Sequence, residues 1–179
     1  MNIGEEIVEA YLQYIKECEF IRQNLYTSDA QGEIDVVGID IKNKKIYICE
    51  VAIHLTTGLM YVNKNITDTV NRLVKKFSKG IKYAEVHFRD YEKIIMLWSP
   101  IVKNSKSGSK SNQLKEVEEI KNIIKEKYGI DLIAIINEKF MECLRELREF
   151  AKKDTKENKS PVIRFMQVEE YLKKHLRKF

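Results

Sequence analysis

The sequence has few cysteines and no long apolar run. Its three cysteines, Cys18, Cys49 and Cys143, are widely spaced and lack the C-x-x-C pattern of zinc or redox sites. We therefore expect buried thiols in a reducing compartment, not a disulfide framework or a thiolate metal centre. No run approaches the roughly 18 apolar residues that a membrane span needs, and residues 1–6 lack the basic start of a secretory signal. These absences predict a cytoplasmic protein without a membrane segment.

The composition is that of a globular chain with a charged surface. Hydrophobic residues make up 44% of the 179 residues, which is enough for one sizeable core. Charged residues make up 33%, with a formal net charge of +5. This excess either attracts nucleic acid weakly or is the ordinary surface of a lysine-rich protein, because it is spread over many segments.

Hydrophobic periodicity predicts an α/β fold, in which helices flank a mixed β-sheet. Helices are predicted at 5–20, 65–79, 113–127, 138–153 and 165–176, and strands at 33–41, 45–53, 93–98 and 131–136. The polar, basic segment 103–112 has nothing to bury and predicts a flexible loop. It separates a core, 1–102, from a C-terminal extension, 113–179, which is α/β and then helical and which we expect to pack on the core.

The two strands around position 43 predict a β-hairpin that brings two carboxylates together. With a two-residue turn at Asn43 and Lys44, Asp35 pairs with Ala52 and shares a face with Glu50. The two acidic residues are then diagonal neighbours, roughly 7–8 Å apart at their backbones. Both carboxylates could reach one divalent cation.

Glu50 is unusual because it lies inside an apolar strand. An unpaired carboxylate there would cost several kcal/mol, so it should be neutralised, paired or bound to a metal. The structural alternative is a buried ion pair with a lysine or arginine. Asp35 alone could be an ordinary carboxylate at a strand start, but the two together favour a metal site.

These motifs resemble the PD-(D/E)xK nuclease superfamily, in its restriction-endonuclease-like and resolvase-like members. The resemblance rests on Gly4-Glu5 at the head of a helix, G-E-I-D-V-V at 32–37 and I-C-E-V at 48–51. It covers about the first 100 residues and implies a restriction-endonuclease-like mixed sheet, Mg²⁺ or Mn²⁺ as cofactor, and hydrolysis of DNA phosphodiester bonds.

The resemblance also implies roles for individual residues. Asp35, Glu50 and the carbonyl of Val51 would hold the metal, which would lower the pKa of a bound water. Glu5 would approach the metal from the first helix. Glu5 could instead be a helix-start carboxylate that interacts with the helix dipole.

The sequence departs from the family pattern at the lysine expected two residues after Glu50, where it has Ala52. His54 is on the correct face but roughly 13 Å from Glu50 at 3.3 Å per residue. Lys76 is the better substitute, because it borders the apolar stripe of its helix and its long stem could reach the carboxylates. It could equally be a solvated lysine.

Contacts to nucleic acid are predicted around this site. The candidates are His54, Tyr61, Arg72, Lys106 and Lys110. Tyr61 could stack on a base or be a core or rim tyrosine, and the loop lysines could grip phosphates or simply solubilise the loop.

Three functional hypotheses follow. The first is a metal-dependent DNA endonuclease of a restriction, defence or repair type, possible as a homodimer because cutting two strands needs two sites. The second is a degenerate nuclease fold that binds nucleic acid or a partner protein without cleaving. The third is an interaction protein that assembles through its C-terminal helices.

Overall fold

The computed structural model describes residues 2–27, 30–63, 66–105 and 112–176. Lys106 and Lys110 lie outside these residues. The elements of the described chain, in order, are α1 (Ile3–Tyr14), β1 (Phe20–Thr27), β2 (Ala30–Asp40), β3 (Lys45–Val51), β4 (Val62–Asn63), β5 (Ile66–Thr67), α2 (Thr69–His87), β6 (Glu92–Ser99), α3 (Gln113–Tyr128), β7 (Leu132–Ile136), α4 (Glu138–Lys153) and α5 (Pro161–Leu176).

Five of the strands form one mixed sheet, in the order β1-β2-β3-β6-β7. The first three are antiparallel neighbours, whereas β3, β6 and β7 are parallel. The two-residue strands β4 and β5 pair separately. The α/β class with a mixed sheet is therefore confirmed, and the C-terminal segment supplies the edge strand β7 of the same sheet.

Helices cover both faces of the sheet. On one face α1, α4 and α5 pack around Trp98, together with Tyr11 and Leu147. On the other face α2 and α3 bury a second cluster that includes Leu73 and Ile120. The central strand β3 is buried along nearly its whole length, as its apolar sequence predicts.

Helix α2 lies very close to the sheet. A Cβ added to Gly80 would be only 2.6 Å from Cγ2 of Ile48 on β3, so only glycine allows this approach. The buried side of the helix repeats at helical spacing through Leu73, Phe77 and Ile81. Lys76, one turn before Gly80, is thereby carried over β2 and β3.

The hairpin register differs from the sequence-based prediction by two residues. Asp40 pairs with Lys45, so the loop has four residues, not two. The carboxylate of Asp40 stabilises this longer turn by accepting hydrogen bonds from the backbone and side-chain amides of Asn43, both at 2.8 Å. The predicted pairing of Asp35 with Ala52 is therefore wrong, but a shift of two residues leaves every side chain on its predicted face.

The predicted N-terminal helix is also too long, and the strand after it was not predicted. Helix α1 ends at Tyr14, and Glu17 has a φ of +56° in the turn that leads into β1.

All three cysteines are buried and free, as expected. Among the described residues, no helix is both long and apolar enough to cross a membrane.

Candidate metal and nucleic-acid site

Asp35 and Glu50 lie where strands β2 and β3 separate. The last main-chain pair between the strands is Val36 with Cys49, and one further step in this register puts Asp35 opposite Glu50. Beyond this pair, the Val51 N–H donates to the side chain of β2 instead of its main chain, at 2.8 Å from Oδ2 of Asp35. Asp35 is 5% exposed and Glu50 only 1%, so both carboxylates are withdrawn from bulk water.

Lys76 reaches this carboxylate pair from helix α2. Its Nζ donates to Oδ1 and Oδ2 of Asp35, at 2.9 and 3.0 Å. The same ammonium forms a salt bridge with Oε2 of Glu50. The side chain is 25% exposed, so the site has an opening to solvent along the lysine. The structure thus brings together Asp35, Glu50 and Lys76, which are distant in sequence.

The charges in this cluster do not balance. If all three groups were ionised, the site would carry one excess negative charge in a largely buried place. Burial, reinforced by the nearby Asp35 carboxylate, raises the pKa of Glu50 from 4.5 to about 8. Burial lowers the pKa of Lys76, but Glu50 and Asp35 more than offset this, so its pKa is raised overall and it stays charged. Burial therefore favours the protonated form of Glu50.

Glu50 is also poorly satisfied. Its carboxylate interacts with the Lys76 ammonium and with Asp35, but neither oxygen makes a hydrogen bond of normal geometry to a described residue. Buried polar atoms are normally hydrogen-bonded, so this exception needs a reason. Two adjacent carboxylates with free lone pairs are the oxygen ligands that Mg²⁺ and Mn²⁺ prefer, and one or two protein carboxylates are enough when substrate phosphates complete the shell.

Glu5 is placed differently from these residues. It is 7% exposed, and its two oxygens accept hydrogen bonds from Asn2 Nδ2 at 2.6 Å and Asn24 Nδ2 at 2.8 Å. In the described part of the chain, no group of three or more histidine, cysteine, aspartate or glutamate side chains is arranged to hold a metal. The structure thus does not bring Glu5 into one group with Asp35 and Glu50. The metal-ligand roles of Glu5 and of the Val51 carbonyl stay predictions.

Position 52, where the resemblance implies a lysine, lies in the apolar core. Ala52 is 1% exposed and belongs to the apolar cluster under α2 and α3. Its N–H donates to the Trp98 carbonyl at 2.9 Å, which holds β3 beside β6. In this structure the cation at the carboxylates comes from α2.

Three predicted nucleic-acid contacts, His54, Tyr61 and Arg72, lie together at the edge of the site. The guanidinium Cζ of Arg72 lies 4.6 Å from the centroid of the Tyr61 ring. The ring of His54 meets Tyr61 edge-on, with centroids 5.7 Å apart. His54 and Arg72 are exposed, whereas Tyr61 is half-buried.

Sequence reasoning missed Lys79. Its Nζ lies near the start of the G-E-I-D run, 3.4 Å from the Glu33 carbonyl. A Cβ on Gly32, whose φ is +101°, would be 2.5 Å from this Nζ. The helical spacing from Arg72 and Lys76 was the only available signal.

Comparison with protein-family models, curated proteins and solved structures finds no match for this chain.

Proposed function

We propose that the chain is a metal-dependent DNA endonuclease of the PD-(D/E)xK type, with its catalytic lysine supplied by helix α2. The observation that carries this proposal is the buried Asp35–Glu50 pair with Lys76 between the two carboxylates. A purely structural ion pair needs one carboxylate for each lysine. When Glu50 is ionised, the second carboxylate gives the site one excess negative charge, which a divalent cation would neutralise.

Each residue has a definite task in this proposal. Asp35 and Glu50 would hold Mg²⁺ or Mn²⁺, with the Val51 carbonyl as a third ligand. The ion would supply an activated water and neutralise charge on the phosphate. The Val51 N–H fixes the orientation of Asp35, and Lys76 positions the attacking water and balances phosphate charge. Glu50 must lose its proton before it can act as a ligand.

A specific observation also favours a second candidate, a degenerate nuclease fold that binds nucleic acid or a partner protein without cleaving. Lys76 already contacts both carboxylates, so the site has a cation without any metal. The family lysine position is Ala52 in the apolar core. The homodimer and the cytoplasmic location stay predictions.

Cleavage of supercoiled plasmid and of branched DNA by the purified protein tests the proposal. We expect cleavage with Mg²⁺ or Mn²⁺ and none with EDTA. Glu50→Gln and Asp35→Asn keep the side-chain shape but remove a metal-binding charge, so each should lower the rate by at least roughly 10²-fold. Gel quantification of nicked and linear products gives the rates.

Glu85→Gln is the matched control, since Glu85 is exposed near the end of α2. It should cleave at the wild-type rate. If the wild-type protein cuts none of these substrates but still binds DNA, the degenerate binder replaces the nuclease. Cleavage that survives both carboxylate changes would mean that the activity belongs to another site or to a contaminant.

A further inference from the structure

A row of cations runs along one side of helix α2. Arg72, Lys76 and Lys79 are spaced i, i+4 and i+7, which places them on the same helical face. Lys76 forms salt bridges with the carboxylates of Asp35 and Glu50. Arg72 and Lys79 flank it, and neither pairs with a carboxylate of any described residue. Two cations without a salt-bridge partner among the described residues therefore lie on either side of the proposed metal site.

Arg72 is held in place by the chain. The Tyr61 ring beneath its guanidinium is fixed at the start of α2, where Asp68 N–H donates to the Tyr61 carbonyl at 2.9 Å. Tyr61 N–H in turn donates to Oγ1 of Thr69 at 3.2 Å. His54 covers another edge of the ring. A guanidinium stacked in this way keeps its N–H edges free for an anion and loses little freedom when one binds.

Lys79 is directed to the other side of the site. It lies over Gly32, whose missing side chain leaves room for the ammonium. Its only described hydrogen bond is a long one, 3.4 Å to the Glu33 carbonyl. Burial lowers the pKa of Lys79, and the nearby carboxylates of Glu50 and Glu33 offset this only in part. An anion arriving here would supply the missing partner.

The spacing fits a nucleic-acid backbone. Seven residues of helix separate Arg72 from Lys79 by about 10 Å along the axis, at 1.5 Å per residue. With α2 parallel to the duplex axis, this is about three phosphate steps of one strand, at 3.4 Å of axis per step. We infer that Arg72 and Lys79 bind two backbone phosphates of the cleaved DNA strand, on either side of the phosphate at Lys76. The inference rests on the proposed function and makes substrate recognition independent of base sequence.

Binding of a labelled DNA duplex, measured by fluorescence anisotropy at several KCl concentrations, tests this assignment. The experiment uses the full chain with Ca²⁺ in place of Mg²⁺, so that binding is read separately from cleavage. Arg72→Gln and Lys79→Gln should each weaken binding roughly 3- to 10-fold at about 0.1 M salt. Each should also reduce the slope of log K against log[salt] by about 1, as expected for one lost phosphate contact.

The control is Lys75→Gln, because Lys75 is exposed and lies beside Lys76 in sequence but off this helical face. It should leave both quantities unchanged. Arg72→Lys and Lys79→Arg keep the charge and should restore the salt slope. Thermal melting of each variant separates lost contacts from lost folding.

The outcomes separate this assignment from the proposed function. One outcome is that folded Arg72→Gln and Lys79→Gln bind DNA with the wild-type affinity and salt slope and cleave it normally. This result would overturn the phosphate assignment but not the proposed nuclease function. An equal loss in Lys75→Gln would also overturn it, in favour of general charge attraction. If the variants lose DNA affinity as expected but the wild type does not cleave, the phosphate contacts are supported in a protein that binds DNA without cutting it. Absence of any DNA binding by the wild type would overturn both.

Discussion

Replacing Lys76 with methionine should lower the rate of DNA cleavage by roughly 10²- to 10³-fold. Methionine keeps an unbranched stem along the apolar face of α2 but removes the ammonium that contacts Asp35 and Glu50. Loss of one preorganised donor from an active site typically costs this much. DNA binding should change only a few-fold, because Arg72 remains. Single-turnover cleavage at saturating protein measures the effect on the chemical step.

Placing a lysine at position 52, where the proposed nuclease pattern has one, provides the matching gain of function. Ala52 is two residues after Glu50 on the same strand face, so a lysine there points towards the same carboxylates. In the double variant Lys76→Ala with Ala52→Lys, the new side chain can enter the space that Lys76 vacates. We expect the double variant to regain at least about tenfold of the activity lost in Lys76→Ala. Ala52→Lys alone is the control and should destabilise the fold, because it adds a second cation to a core position that is 1% exposed.

Stability must be measured beside activity in these variants. Removing one partner of a buried ion pair costs about 3–5 kcal/mol of unfolding free energy. For a chain of this size each kcal/mol lowers Tm by about 2–4 °C, so the Lys76 variants should be assayed well below their measured Tm. If folded Lys76→Met cleaves at the wild-type rate, Lys76 is only a structural counter-ion and the catalytic cation lies elsewhere.

The sequence predicted the elements whose pattern follows from burial alone. Helix α4 begins and ends at the predicted residues, and β6 differs from its prediction by one residue at each end. Both show strong periodicity or a continuous apolar run. Strand β1 was missed because it is an edge strand with polar residues, F-I-R-Q-N-L-Y-T, and pairs only with β2. Its signal depends on the neighbouring strand, which a local pattern does not contain.

The site was predictable in part for a similar reason. Asp35 and Glu50 share a face in any hairpin register that shifts by an even number of residues, so an incorrect turn still gave the correct pair. Lys76 followed from its position beside the apolar stripe of its helix. The place of Lys79 depends on Gly32 leaving space across the sheet, and the hydrogen bonds to Glu5 depend on how α1 meets β1. These are tertiary contacts, and helical or strand periodicity does not encode them.

Replacing Glu50 with glutamine should make the protein more stable above neutral pH, although it removes a proposed metal ligand. Burial raises the pKa of Glu50 from 4.5 to about 8 in the folded state, so the folded protein keeps a proton that the unfolded chain releases above about pH 4.5. The stability that this proton contributes is therefore fully present below about pH 4.5 and is lost as the pH rises towards 8. A shift of one pKa unit is worth about 1.4 kcal/mol, so the loss across this interval is on the order of a few kcal/mol.

Urea unfolding with EDTA at several values between pH 5 and pH 8.5 measures this difference. Glu50→Gln should lack the decline, and the exposed control Glu85→Gln should show the wild-type decline. A Glu50→Gln variant that is less stable than the wild type at pH 8 would mean that Glu50 is an ionised partner in a structural ion pair. Adding Mn²⁺ at pH 8 distinguishes a metal site at Glu50 from a structural ion pair. Metal that binds only the folded state stabilises the wild type, and it should stabilise Glu50→Gln much less, because one of the two carboxylates is gone.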